Sequence, residues 1–507
     1  MKRELPFVAL LLILCNAGIM TAVSTISQAR EQSGETTRKT PATGPLRVSM
    51  ANPRYFSDES GRPIYLAGSY SDWSLQDNAW GGGGGVFDLE AFLDLSATHN
   101  HNFQRMSAVE TSRTRDKQRA LTTPMVYERT GPGHAIDGAP KFNLTQFNPV
   151  YFDRLRSRVV AARDRGIYVM VMLFQGWSLE SKDNPSMNPW PGHPYHRANN
   201  INGINGDRNG NRHGEEIHTL TIPAVTRLQE AYVRKVVDTL NDLDNVLYEI
   251  ANESHNQSIG WQYHMIRYIH KYETGKPKQH PVVMTVAYPE GDNAVLFKSP
   301  AEAISPNPNG GYKDNPPAAD GNKIIIADTD HLLGSHVDHM WVWKSFLRGL
   351  NPIFLDPRLD PDKKPDALHW QLARRNLGYT RRFAQRINLA TMVPRNDLSS
   401  SAYCLAHPGV AYLAYLPAGG TASVDLRAAE GTMTVEWFSP STGETMDGGR
   451  VKGGAITEFV SPFTSRFTLH WVRRNIDRVL RTLGVEKPVQ LSDAVLYLTA
   501  DKVKPRP

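Results

Sequence analysis

Apolar positions in this chain follow two alternating rhythms. Short runs of aliphatic and β-branched residues recur, and a longer stretch with apolar residues three and four apart follows most of them. Ile64–Ser69, Asn102–Ala108, Ile167–Phe174, Val246–Ile250, Val282–Val286, Lys323–Ala327 and Pro352–Leu355 predict strands, and Ala303–Ser305 predicts a minimal sixth in the series. Phe87–Thr98, Pro149–Arg165, Ala224–Leu243, Trp261–Tyr272, Val337–Leu350 and Ala367–Asn388 have helical spacing. Ile167–Phe174 is apolar without alternation, as a strand covered on both faces of a parallel sheet should be. Eight strands alternating with helices predict an α/β protein built as a (β/α)8 TIM barrel.

From about Pro394 the rhythm changes. Tyr403–Leu405, Ala411–Leu416, Ala422–Leu426, Met433–Phe438 and Thr457–Val460 alternate and are spaced by Gly and Pro, which predicts a small antiparallel β-sandwich. Arg466–Val472 and Ser492–Thr499 are two candidates for its last strand. Arg54–Pro63 reads as a hairpin with a Gly turn, and Thr111–Phe147 and Ser178–His218 read as long polar loops of the kind that carry function. The expected division is a leader at 1–29, a linker at 30–45, the barrel at 46–393, the sandwich at 394–472 and a basic extension at 473–507, with 494–499 as an added strand.

Composition narrows the function classes. A chain of 507 residues is too long for one ordinary core, and 40% hydrophobic with 21% charged residues is a soluble globular composition. The formal charge of +6 is mild, and the basic residues form no stripe, so nucleic acid is not an expected partner. Cys15 and Cys404 are the two cysteines, which excludes a disulfide framework and a thiolate metal cluster. Met1-Lys2-Arg3 followed by apolar Pro6–Met20 has the form of a secretory signal, with an uncleaved anchor as the alternative and no later membrane segment expected. Gly81–Gly85 lacks the residues of a phosphate loop, and no Gly-x-Ser-x-Gly or His-Glu-x-x-His occurs. No cofactor and no metal are expected.

The chemistry gathers at Asn245–Glu253, a strand that ends in Asn252-Glu253. Active sites of such barrels lie at the carboxyl ends of the strands. This ending resembles the strand-four signature of clan A glycoside hydrolases. Asn52-Pro-Arg-Tyr-Phe, Phe174-Gln-Gly-Trp177, Tyr248-Glu-Ile-Ala-Asn-Glu253, Ala327-Asp-Thr-Asp-His331, Trp341-Val-Trp-Lys-Ser-Phe-Leu-Arg-Gly349 and Leu377-Gly-Tyr-Thr380 resemble secreted bacterial barrels described as cellulase-like or apiosidase-like. Val435-Glu-Trp-Phe-Ser-Pro-Ser-Thr-Gly443 resembles the module that follows those barrels, which is labelled collagen-binding. The resemblance implies a polysaccharide substrate, such as a pectin side chain, and allows a matrix polymer as partner of the C-terminal part. It implies Glu253 as general acid/base, Asn252 as a sugar contact and a nucleophile at the end of strand seven, where Asp328 stands. Clan A usually has Glu there. An Asp reaches the sugar only if its strand lies nearer the axis, and otherwise leaves room for a water and inversion. Asp330, Asp356 and Glu110 are rival carboxylates, Asp330 also being a candidate sugar ligand; Arg105 is expected to hold the nucleophile ionised, and Trp73, Trp177 and His331 to line the subsites. The competing class is a carbohydrate- or matrix-binding protein on a barrel without catalysis.

Overall fold

The eight predicted strands close on themselves. The computed structural model describes residues 40–71, 74–78, 85–113, 120–179, 188–333, 338–357, 366–463 and 492–500. Strands β1 (Gly68–Tyr70), β2 (Phe103–Met106), β3 (Tyr168–Gln175), β4 (Val246–Asn252), β5 (Val282–Thr285), β6 (Ala303–Ser305), β7 (Ile324–Asp328) and β8 (Asn351–Leu355) form a parallel barrel in sequence order, with β8 pairing back onto β1. Helices α1 (Leu89–Thr98), α2 (Pro149–Arg163), α3 (Pro223–Leu240), α4 (Ile259–Glu273), α5 (Asn293–Phe297), α6 (Thr329–Leu332), α7 (His339–Leu347) and α8 (Leu368–Arg386) follow their strands. Their starts have chemical causes. Asp88 caps α1 by accepting from the Ala91 N–H, and Asn148 caps α2 with Pro149 as its first residue. Just past the end of α2, Gly166 adopts φ 73°, a left-handed turn that glycine takes without a steric penalty.

Strand alternation sorts the barrel interior into layers. Phe103, Leu247, Val283, Ala303 and Ile326 belong to an apolar inner core. Two residues further along their strands stand Arg105, Glu249, Thr285, Ser305 and Asp328. A step of two keeps the same face of a strand. Each of these five strands therefore seals the barrel with an apolar side chain and then raises a polar one toward the carboxyl-end mouth.

The predicted loop Thr111–Phe147 contains a hairpin instead, Tyr127–His134 paired antiparallel with Pro140–Phe147. Gly131-Pro132-Gly133 and an irregular register break its alternation, which hides the strands from a pattern reading. Tyr127, Phe142 and Leu144 pack with Trp190, Tyr195, Ile217 and Val225 in a small core of their own.

Beyond α8 the chain forms an antiparallel sheet. Strands β9 (Val393–Pro394), β10 (Cys404–His407), β11 (Ala411–Leu416), β13 (Thr432–Phe438), β14 (Thr445–Lys452) and β16 (Ala494–Ala500) are ordered β9-β10-β11-β16-β13-β14, and β12 (Thr421–Asp425) pairs separately with β15 (Ile456–Val460). β14, exposed except at half-buried Val451, has no apolar period and was not expected. Of the two candidates for a last strand, the segment near 494–499 lies at the centre of the sheet, whereas Arg466–Val472 lies outside the described residues. So do the predicted leader, most of the linker, Trp73 and most of the basic extension. Among the described residues no helix is long and apolar enough to cross a membrane. Cys404 is buried, and burial pushes its thiol up to about 12.

Alternation also explains how the two parts join. In β11, Tyr412, Ala414 and Leu416 face the β12–β15 ribbon, while Leu413 and Tyr415 join the barrel's outer core. Trp343 on α7 stacks on Tyr415, with ring centroids 6.0 Å apart, and donates from Nε1 to Asn376 Oδ1 at 2.7 Å. Asp493 is buried at the same junction. It accepts from Tyr415 OH at 2.9 Å and Ser441 Oγ at 3.1 Å, with His339 Nε2 at 3.2 Å. Trp343→Ala should therefore cost about 3–5 kcal/mol in urea unfolding; a loss below about 1 kcal/mol would show that this contact does not hold the sheet to the barrel.

Candidate active site

The polar layer above the apolar plug is organised by Arg105, which is fully buried on β2. Its Nε donates to Glu249 Oε2 at 2.7 Å and its Nη2 to Glu249 Oε1 at 2.6 Å, a bidentate pair within the polar layer that reaches from β2 to β4. Nη2 also donates to Asn252 Oδ1 at 2.7 Å, and Nη1 to Tyr70 OH at 3.2 Å. Nη1 further lies 3.4 Å from Asp328 Oδ2 and 3.7 Å from Asp330 Oδ2. Thr285 donates to Glu249 Oε1 at 2.7 Å. Burial works against the guanidinium charge, but Glu249, with Tyr70 and Asp328 behind it, holds the proton on more firmly than usual.

Asp328 and Asp330 part company at the end of β7. Asp328 caps α6: its Oδ1 accepts the Asp330 N–H at 3.0 Å, and its carboxyl also takes the Tyr70 hydroxyl at 3.0 and 3.2 Å. That turns it inward, with its side chain 1% exposed. Burial pushes Asp328 up to about 7; Arg105 opposes the rise, and Asp330 and Glu249 add to it. Asp330, one short turn later, keeps 22% of its side chain exposed. One oxygen each of Glu253 and Asp330, together with a His331 nitrogen, lie within 4.8 Å of one another.

Those three residues have metal-ligand types, but the histidine is already committed. Asn252 Oδ1 takes a hydrogen bond from Arg105, so His331 Nε2, 2.9 Å from the same oxygen, must be the donor to it. His331 Nδ1 then faces Ser305 Oγ at 3.2 Å as an acceptor. Burial, helped by Arg105, holds the His331 pKa well below its ordinary range, so the ring stays neutral.

Glu253 sits immediately beyond β4 with φ 45°, an unusual left-handed conformation for a non-glycine residue. Trp177, on the single turn Gly176–Ser178 after β3, donates from Nε1 to Glu253 Oε2. Gly176 lies so close to the Glu253 carbonyl oxygen that a Cβ would sit 2.2 Å from it. Asn252 donates to Gln175 Oε1 at 3.0 Å, and that oxygen also receives the Trp177 N–H at 3.3 Å. Asn252 thus acts chiefly as a bridge between Arg105, His331 and Gln175.

The other rivals are occupied elsewhere. Asp356 forms a buried bidentate pair with Arg374 at 2.6 and 2.7 Å. Glu110 accepts the Gln175 N–H at 2.8 Å, with His218 Nε2 at 3.3 Å and His193 Nε2 at 3.7 Å. Burial opposes its charge, but the two imidazoles hold Glu110 at about 2. The geometry therefore gathers Glu253, Asp330, His331, Asn252, Arg105 and Trp177 at one mouth and sets Asp328 beneath it. Tyr70, Glu249, Thr285, Ser305 and Gln175 were not expected. Glu249 had a signal, since it is a charged residue inside an otherwise apolar strand.

Comparisons with known proteins agree with this architecture at the level of fold. Residues 112–303 match a family profile described as "Domain of unknown function (DUF6298)". Residues 390–473 match one described as "Putative collagen-binding domain of a collagenase". No curated protein matches the chain. Among solved structures, a glycoside hydrolase family 5 protein from Bacteroides vulgatus aligns over 91% of this chain and 95% of its own, at 12% identity and a TM-score of 0.57. A structure described as a glycoside hydrolase aligns over 92% of this chain and all (100%) of its own, at 11% identity and a TM-score of 0.55. These likenesses show the fold, a TIM barrel followed by an antiparallel sheet.

Two outcomes test the charge network. Replacing Arg105 by Leu strands Glu249 and Asp328 in a buried site and should cost about 3–5 kcal/mol on urea unfolding; an unchanged midpoint would remove Arg105 from the centre of the network. Asp328 supplies the second. Between its ordinary 3.8 and about 7 the folded protein holds this proton and the unfolded chain does not, so Asp328 makes stability fall as pH rises through that window. Asp328→Asn should flatten that fall in Tm between about pH 4 and 8; an identical slope in both proteins would show that Asp328 is ionised throughout.

Proposed function

We propose that the protein is a secreted glycoside hydrolase that cleaves a polysaccharide with retention of configuration, using Glu253 as acid/base and Asp330 as nucleophile. The carrying observation is the approach of Glu253 and Asp330 oxygens within 4.8 Å. Retaining enzymes hold their carboxyl groups roughly 5–5.5 Å apart, whereas inverting ones need roughly 6.5–9.5 Å to admit a water. The partner of Glu253 in this reading is Asp330, two residues beyond the strand-end Asp328, because capping α6 turns the Asp328 carboxyl into the interior.

In the first step an Asp330 oxygen bonds to the anomeric carbon as the glycosidic C–O bond breaks. The bond's electrons leave with the departing oxygen, which takes the Glu253 proton. Glu253 then removes a proton from water, whose oxygen displaces Asp330 from the sugar. Arg105, 3.7 Å from Asp330, offsets its charge before attack. Glycan as substrate follows the likeness of the barrel to glycoside hydrolases. Work outside the cytoplasm rests on the sequence at 1–29, and a matrix polymer as partner of the C-terminal sheet rests on the description of the profile at 390–473.

Purified protein assayed on a panel of plant and bacterial glycans should cleave at least one. Glu253→Gln and Asp330→Asn should each lower turnover by about 10²–10⁴-fold while folding normally. A 2-deoxy-2-fluoro glycoside matching the cleaved sugar should label Asp330, as read by peptide mapping. Labelling of Asp328 instead would reassign the nucleophile, and glycan binding without any cleavage would favour the non-catalytic alternative.

A further inference from the structure

Trp177 reads from the sequence as a residue that lines a subsite. Its indole does something else: Nε1 donates to Glu253 Oε2. Several independent constraints hold it there. Its own backbone N–H is bound by Gln175 Oε1 at 3.3 Å, and Gln175 is tied in turn to Asn252 at 3.0 Å. Gly176 presses against the Glu253 backbone, which adopts the left-handed conformation seen above. A side-chain-bearing residue in that conformation costs roughly 1–3 kcal/mol, so the surrounding packing must impose it.

Resting on the glycosidase reading, we infer that Trp177 is a positioning residue that directs the acid proton of Glu253 to Oε1. An indole N–H is a donor without acceptor capacity. It therefore favours a carbonyl-type oxygen at Oε2 and leaves the hydroxyl form to Oε1. Oε1 is then the atom that gives its proton to the leaving oxygen as Asp330 bonds to the sugar, and that takes a proton from water in the second step. The same contact prevents the carboxyl from rotating, so the proton returns to the same oxygen in each cycle. Among the described residues, Asp330 and His331 from α6 face Glu253, with Arg105 from β2 behind Asp330 and Asp328 at the end of β7 behind Arg105. The neutral ring of His331 adds no charge, and Asp330 is a like charge beside Glu253.

The contact can be tested without a substrate. Indole fluorescence of the full chain, titrated with acid, should show a step that disappears in both Glu253→Gln and Trp177→Phe. In Asp330→Asn the step should move to lower pH, because a neighbouring negative charge is gone. A step that persists in Glu253→Gln, or that Asp330→Asn leaves in place, overturns the inference. Kinetics test the assignment of the proton. On aryl glycosides of the cleaved sugar, Trp177→Phe should lose about tenfold or more in kcat/KM with poor leaving groups, which need the acid, and little with nitrophenyl leaving groups, which do not. Equal losses on both mean that Trp177 serves binding or packing and overturn the assignment. If the wild-type chain cleaves no glycan yet keeps the fluorescence step, the glycosidase reading fails while the coupling of Trp177 to Glu253 stands.

Discussion

Burying the guanidinium of Arg105 obliges its neighbours to take the places they have. A charge withdrawn from water must be met by charges and acceptors at close range. Glu249, Asn252, Tyr70, Asp328 and Asp330 meet it, and they come from three different strands or the turns that follow them. Each has its own further partner: Thr285 for Glu249, His331 and Gln175 for Asn252, and the α6 backbone for Asp328. The mouth of the barrel is thereby fixed from beneath. One cation faces three carboxyl groups, and Asp328, the most deeply buried of the two aspartates, is the one driven toward the protonated form. Asp330 is left at the surface of this network, with 22% of its side chain exposed.

Much of this was legible because the barrel obeys simple periods. Each strand expected from its apolar run exists, even β6 at three residues, since a strand enclosed by helices and plug must be apolar however short it is. The Asn252-Glu253 ending was legible for the same reason, as polar residues that break an apolar run at the functional end of a strand. Pattern failed where other physics governs. The hairpin at Tyr127–Phe147 pairs through Gly and Pro with a shifting register, and β14 is exposed except at half-buried Val451, so neither keeps a regular alternation along its length. At the end of β7 the sequence offered both aspartates but not their directions. Asp328 and Asp330 differ by two positions, and only the capping geometry at Thr329–Leu332 decides which carboxyl turns in and which turns out. An Asp that ends a strand and begins a helix is a capping residue by type, and that signal was present in Asp328-Thr-Asp-His331.

The junction between barrel and sheet follows from the same alternation. β11 offers one set of side chains to the β12–β15 ribbon and the other to the barrel's outer core, where Trp343 of α7 meets it, so β11 is covered on both faces. Trp343 and Asp493 anchor the contact from opposite sides. The C-terminal part is thus a layer of the same compact unit that runs from Pro41 onward.

The order of strands in that layer carries a practical consequence. β16 joins β11 to β13 across the middle of the sheet, yet it comes from Ala494–Ala500, beyond the 390–473 span that the matching profile recognises. Excising the module at the profile's limits would remove its keystone and expose two raw backbone edges to any passing chain. A fragment cut in that way would stick to its neighbours, and its apparent affinity for a matrix would report the wound rather than the molecule.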